Sequence, residues 1–574
     1  MENSENKEIE TNNVQETLSE VSNEDVTNQE NPSEVVSESV EQPATTPVEN
    51  STNETKPQKK KGKGGLVVLV LLLFVALLVA IFVPSFLNKE GQPQTIETDA
   101  NEVKSAYRLS GNGLEDFDLY FLQLENKEVN KVYSPLSIKY VLAMLNEGTA
   151  GTSHAQIKGV IGDYKAKKYN NNDHMGFANA MYIKDIYKNA IKEEYTKQLK
   201  EKYGAEVTVD PFTSPDPINN WISDKTFHLI TNMLTEPINE YDFFLVNALA
   251  IDMNWVNQLQ CEQTESRSQG KVSCKDYSVK YIHENYSDYV RELMSNDEYD
   301  EIDFNGGKVK SLAIGASINN YDIIKDLGEE NIRKTVGEKL QEYIDAGGEM
   351  CGNTYDEYMD NYIKTLGENY KQVDYSTDFS LYDGSDVKAF AKDLQTYDGV
   401  TLQYVAIMPK EASLESYIKE LDVKSVNNVI KELKDIKLEN FKEGVVTKIK
   451  GHIPVFNYDY ELDLMNDLKK LGIKDVFSAE DANLSNMIKT KGGEFIAKAD
   501  HKAVIEFSND GIKAAAVTLG GGKGAAGCPI FDYEYDVPVE TIDITFDKPY
   551  LYLIRDKDTG EVWFVGTVYE PTKK

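Results

Sequence analysis

The sequence predicts an α+β fold, set behind a disordered tail and one transmembrane helix. Three observations carry that expectation. Residues 66–83, LVVLVLLLFVALLVAIFV, are an unbroken apolar run preceded by a polar tail without an aromatic residue. Leu245 to Trp255 is a long, largely apolar stretch, as expected of a strand in the middle of a buried sheet. Ala499 to Phe507 reads as a second strand, and the turn formers Ser508, Asn509, Asp510 and Gly511 stop it. After that hinge come Ile512 to Leu519 and then Gly520, Gly521 and Gly522, all small or uncharged apart from Lys513. Such a segment has two homes. Extended, one face reads Ile512, Ala514, Ala516, Thr518, Gly520, Gly522 and the other Lys513, Ala515, Val517, Leu519, Gly521, Lys523. The first face can enter a buried sheet without stranding a charge, whereas a one-residue slip would bury both lysines.

With 574 residues the chain can bury a large core, and its formal charge is -35. So acidic a chain is not expected to bind nucleic acid, which requires clustered Lys and Arg. The basic cluster it has is Lys56 to Lys63. Four cysteines, Cys261, Cys274, Cys351 and Cys528, are too few for a disulfide scaffold and lack the close pairs of a zinc site. Outside a cell Cys261 and Cys274 form one bridge or remain two thiols; the spacing allows either.

Residues 1–65 are built from Glu, Asn, Ser, Thr, Gln, Val and Pro, and cannot bury enough apolar surface to offset ordering entropy. They are expected to be a disordered acidic tail. Residues 66–87 follow, and a helix of about 22 residues is roughly 33 Å long, enough for a hydrocarbon core of about 30 Å. The long acidic tail before it and the absence of a small-residue cleavage site argue against a signal peptide. Lys56, Lys59, Lys60, Lys61 and Lys63 precede the span, which places the N-terminus in the cytoplasm and the rest outside the cell. Residues 88–106 are a linker, and the folded domain, 107–574, begins with a helical pattern at Leu114, Phe117, Leu119, Tyr120, Phe121 and Leu124. Ser134 and Pro135 start a buried helix that ends near Gly148, with Ser134 as a cap.

Other motifs fail on inspection. Gly522, Gly524 and Gly527 satisfy GxGxxG, but Cys528 and Pro529 follow where a dinucleotide site needs a helix N-terminus. Lys523 lacks the Ser or Thr of a phosphate loop. Glu301, Asp303, Asn305 and Gly306 resemble the start of a calcium loop, yet its last ligand position falls on Leu312, so a solvated acidic face is the better reading. The six histidines form no HExxH pair and no GxSxG elbow occurs, so no hydrolase chemistry, metal or cofactor is expected.

HKAVIEFSNDGIKAAAVT resembles the hinge and proximal reactive loop of the serpins. FDKPYLYLIRDKDTGEVWFVGTVYEP resembles that family's closing strands, and YSPLSIKYVLAMLNEGTAGTSHAQI and FFLVNALAIDMNW resemble two further signatures in the same order. The resemblance weakens over about 275–371, a stretch rich in Tyr, Asp, Glu and Asn, and resumes at Asp378. It implies a serpin fold: a large mixed or antiparallel central sheet, two smaller sheets, surrounding helices and an exposed reactive loop at about 509–540. It also implies a suicide inhibitor of serine proteases, with cysteine proteases as a further class, and a monomer rather than an enzyme. The protease cleaves the loop and forms an acyl-enzyme; the freed loop then enters the large sheet as an extra strand. Gly511 is then the hinge, and Ile512, Ala514, Ala515, Ala516 and Thr518 belong to the inserting strand. Ser134, Ser137 and His501 fall on the shutter beneath the sheet, and Trp255 on its upper end. By the family's spacing the scissile bond is Ala525-Ala526, which suits an elastase-like or subtilisin-like protease. Lys523-Gly524 is the rival, and suits a trypsin-like one. The interval from Gly511 to Pro549 exceeds the family's common length by roughly a dozen residues, and Ile512 is bulkier than the Thr or Ser usual there. The alternative function is a non-inhibitory surface adhesin or ligand-binding protein that uses the insertion.

Overall fold

The structure, a computed structural model, describes residues 109, 112–257, 263–264, 271–272, 300–348, 350, 352–489, 493–509, 511–512 and 535–571. All of them belong to one compact unit, Gln94–Lys574. The tail, the apolar run, the four cysteines and the loop from Lys513 to Ala526 lie outside the described residues. Among the described residues no helix is long and apolar enough to cross a membrane.

Helix α1 (Asp116–Leu124) buries Phe117, Leu119, Phe121 and Leu122. It meets α2 (Pro135–Gly148) through a fully buried ammonium, Lys139 Nζ, which lies 2.7 Å from Asp118 and 3.0 Å from Glu115. A lysine with no exposed surface persists only where carboxylates neutralise it. Pro135 at the first turn of α2 has no N–H to leave unpaired, and Ser134 Oγ accepts the Ser137 N–H at 3.1 Å. Helices α3 (Gly151–Ile161), α4 (Glu193–Tyr203) and α5 (Asp216–Lys225) follow, and α4 ends at Gly204 in the left-handed region.

The largest sheet runs β1 (Lys131–Tyr133), β21 (Val562–Val568), β20 (Tyr550–Asp556), β13 (Leu402–Pro409), β12 (Val387–Asp393), β11 (Ser380–Asp383) and β14 (Lys434–Asp435), antiparallel throughout. Every residue of β13 is buried, which explains its run Tyr404, Val405, Ala406, Ile407 and Met408. A second sheet runs β3 (Glu206–Asp210), β2 (Met175–Lys184), β4 (Phe243–Ile251), and a third β16 (Phe456–Leu462), β17 (His501–Phe507), β18 (Gly511–Ile512), β5 (Met253–Asn254). The chain itself joins these two: only Asp252, whose N–H bonds the His174 carbonyl, separates β4 from β5. A short antiparallel pair, β6 (Gln263–Thr264) with β7 (Lys271–Val272), lies apart from these sheets.

β4 departs from the sequence expectation. It pairs on one side, with β2, and Phe244 to Asn247 are only half-buried, because among the described residues no strand pairs with its other edge. A strand expected mid-sheet therefore forms the wall of a cleft.

In the last sheet β9 (Gly307–Asn320) pairs with β8 (Asp300–Phe304), β10 (Lys371–Tyr375) and β15 (Val445–Pro454), and β15 pairs in parallel with β19 (Val539–Asp543). Asn305 and Gly306, both at positive φ, make the two-residue turn between β8 and β9. The segment beginning at Glu301 is thus a hairpin, with Asp303 accepting the Gly306 N–H at 2.9 Å. Asn320 and Lys371 are direct register partners, and everything between them is a helical excursion: α6 (Ile323–Leu327), α7 (Glu329–Asp345) and α8 (Tyr355–Asn369). These helices close on a small core of their own, Ile332, Val336, Leu340, Met359, Ile363 and Leu366. Ser413 and Asp422 cap α9 (Leu414–Glu420) and α10 (Val423–Glu432), and α11 (Leu464–Lys470) buries Leu464 and Leu468.

Candidate functional site

Ala503, Ile505 and Phe507 are the buried face of β17, as the alternation in the sequence requires. The chain then reverses, with the Gly511 carbonyl accepting from Ser508 N–H at 3.1 Å and Ser508 Oγ at 3.3 Å. It re-enters the sheet as β18, two residues long and antiparallel to both neighbours: Ile512 stands opposite Phe507 and Met253, and Gly511 opposite Asn254. Neighbouring strands lie about 4.8 Å apart, so β18 holds β17 and β5 open by one strand's width.

Gly511 is fixed by space rather than by a left-handed backbone. A β-carbon there would lie 2.1 Å from the Met253 carbonyl oxygen and 2.8 Å from Asn254 Cα. Ile512 is 2% exposed and lines a small cavity together with Ile251, Ile505, Ile554 and Phe564. An aromatic group backs the reversal: Trp255 Nε1–H donates to the Ser508 carbonyl at 3.0 Å. The Trp255 ring meets Phe507 edge-on at 5.4 Å, and Phe507 stacks on Phe456 at 5.3 Å.

A second cavity lies between β4 and the start of β17. Its walls are β4 (Phe243 to Leu249) and the segment Ile496 to Ala503, its floor Ile138, Leu142 and Leu145 of α2 with Leu464 and Leu468 of α11. Ile218 and Ile222 of α5, with Ile230, Met233 and Leu234, cover it. Ser134, Ser137 and His501 line it near the start of α2. His501 Nε2 accepts the Ser134 N–H at 2.9 Å, an arrangement open only to a neutral ring, and burial pushes its pKa down to about 4. Ser134 therefore serves twice, as helix cap and as donor to His501.

The cavity thus lies between β4, whose second edge has no partner strand among the described residues, and the start of β17. Ser134, Ser137 and His501 line one cavity, whereas Trp255, Gly511 and Ile512 meet at the reversal after β17. Ala514, Ala515, Ala516, Thr518, Lys523, Gly524, Ala525 and Ala526 lie outside the described residues. Sequence reading passed over Phe507, Tyr404 and Phe456 around the reversal: each is an ordinary apolar position of its own strand, and only tertiary pairing brings them together.

A family model described as Serpin (serine protease inhibitor) matches residues 116–314 and 374–571. The unmatched interval between them, 315–373, is narrower than the one read from the sequence and holds α6 to α8. An uncharacterized serpin-like protein of Methanosarcina acetivorans is 23% identical over 484 residues, covering 80% of this chain and 86% of that protein. Neuroserpin of Mus musculus is 21% identical over 469 residues, covering 78% and 87%. Among solved structures the thermophilic serpin tengpin in its native state superposes with a TM-score of 0.51 at 20% identity, covering 81% of this chain and 97% of that one.

Proposed function

The chain belongs to the serpin family, and from that premise we propose that it is a membrane-tethered suicide inhibitor of serine proteases. One observation carries the reading: Gly511 and Ile512 pair with both β17 and β5 as the start of an added strand, and a largely apolar cavity lies between β4 and the start of β17. A protease that takes the loop as substrate has its catalytic serine acylated by Ala525, and Ala526 becomes a new amino terminus. Released at that end, the chain from Lys513 onward runs down the cleft, antiparallel to β17 and β4, and carries the acylated protease away from its starting position. Small side chains on the inward positions favour this over a fold that never inserts its loop, because a module using only its insertion gains nothing from them.

The N-terminal residues 1–65 then lie in the cytoplasm, 66–87 span the membrane, and the folded unit stands outside. The acyl bond forms on Ala525, on the same side of the cut as the span, so a trapped protease stays attached to the membrane.

The test is to mix the folded unit Gln94–Lys574 with elastase-like, subtilisin-like and trypsin-like proteases, then run denaturing gels and sequence the released fragment. A complex that survives denaturation is expected, with a fragment starting at Ala526 for a protease with a small primary pocket, or at Gly524 for a trypsin-like one. Clean cleavage with full protease activity remaining would overturn the proposal and favour the adhesin or ligand-binding reading. Orientation is tested on intact cells: added protease should remove the folded unit and leave the tail protected.

A further inference from the structure

The interval 315–373 has no counterpart in the family model, yet it touches the loop. Tyr535 and Val537, which lead from the loop into β19, pack against the core of α7 and α8. The Tyr362 and Tyr535 hydroxyls are 3.0 Å apart, and the Pro538 carbonyl accepts the Val446 N–H at 2.9 Å. The excursion thus seats the C-terminal end of the loop, while Ile512 seats the other end.

Ala526 precedes Tyr535 by nine residues, a span of at most about 31 Å. A protease domain of about 250 residues has a radius of gyration of roughly 18 Å, so a protease holding the bond Ala525-Ala526 has its body within reach of α7 and α8. We infer that the excursion α6 to α8 is a second contact surface for the target protease, positioned by the Tyr362–Tyr535 pair. The surface turned to solvent there is acidic: residues 321–370 carry twelve carboxylates and five Lys or Arg. The partner it fits is a protease with basic groups beside its primed subsites.

This inference rests on the loop being a protease substrate, and its test is built to stand apart from inhibition. Because Asn320 and Lys371 are register partners, residues 321–370 can be replaced by a two-residue Asn-Gly turn. The rate of loop cleavage is then measured for the intact folded unit and for the excised one, at low and at high salt. Excision is expected to raise KM about tenfold with kcat unchanged, the mark of lost docking contact, and to remove most of the salt dependence. Tyr362→Phe with Tyr535→Phe covers the case in which the excised form does not fold, and should raise KM several-fold. Equal KM for all three proteins, or a fall in kcat alone, would overturn the inference. Loop cleavage is read whether or not a covalent complex forms. Absence of a complex with unchanged KM effects therefore counts against inhibition and not against docking.

Discussion

A β-carbon at position 511 has nowhere to go, and that makes Gly511 the most informative single residue to change. Gly511→Ala would press on the Met253 carbonyl oxygen at 2.1 Å and expel β18 from between β17 and β5. The expected result is a protein that folds and is cleaved at the same rate, but is consumed as substrate: several-fold more of it is needed to silence one protease in a titration. His501 offers a second test. Its pKa is 6.5 when free and about 4 in the fold, so the folded state prefers the neutral ring. The stability it contributes is present above pH 6.5 and is lost as the pH falls toward 4. Part of its surface faces the cleft, which screens the effect, and about 2 kcal/mol is expected across that window. Denaturant unfolding at pH 7 and pH 4.5 checks this, with His501→Gln removing the excess slope. The chain reversal at Ser508 to Gly511 was legible in the sequence, because turn formers cluster there. That it is held by close approach to β5 was not, since Met253 is more than 250 residues away. The buried pair of Lys139 and Asp118 was equally hidden: Lys139 sits in a helical pattern where a lysine ordinarily reaches water.

At the scale of elements the cleft makes alternation testable. With Ile512 inward, Ala516→Arg places a charge under the entering strand, and Val517→Arg places one on its outer face. Ala516→Arg is expected to abolish the denaturation-resistant complex while leaving cleavage intact, and Val517→Arg to leave both within about threefold, since an exposed substitution typically costs under about 0.5 kcal/mol. Equal loss in the two would mean that the strand enters in another register. The strand and helix types read well from the sequence at β17, α1 and α2, where alternation, periodicity and a cap point the same way. One departure has a physical cause. Leu245 to Trp255 is apolar because it lines a trough, and apolarity does not distinguish a strand with two neighbours from one with a single neighbour and a gap. Glu301 to Gly306, read from the sequence as a solvated acidic face, is the exposed edge of the β8–β9 hairpin, turned at Asn305-Gly306.

For the whole molecule, the open cleft predicts that cleavage makes the domain more stable. Filling it adds a strand's ladder on both sides and covers its apolar floor. About 1 kcal/mol shifts the midpoint of a domain of 150–250 residues by roughly 2–4 °C, and less for a larger one. A rise of more than about 10 °C after cleavage, by calorimetry, is expected, and an unchanged midpoint would mean that the loop stays out. The seven-stranded sheet adds a consequence of another kind. Its interior holds β20, clasped between β21 and β13, and both β20 and β21 come from the last stretch of chain, beyond the loop. Severing the backbone at Ala525 therefore yields two polypeptides but a single particle. Sedimentation and native mass would register almost no departure for a chain cleaved without trapping its protease: an assay that senses only size cannot tell it from the intact chain.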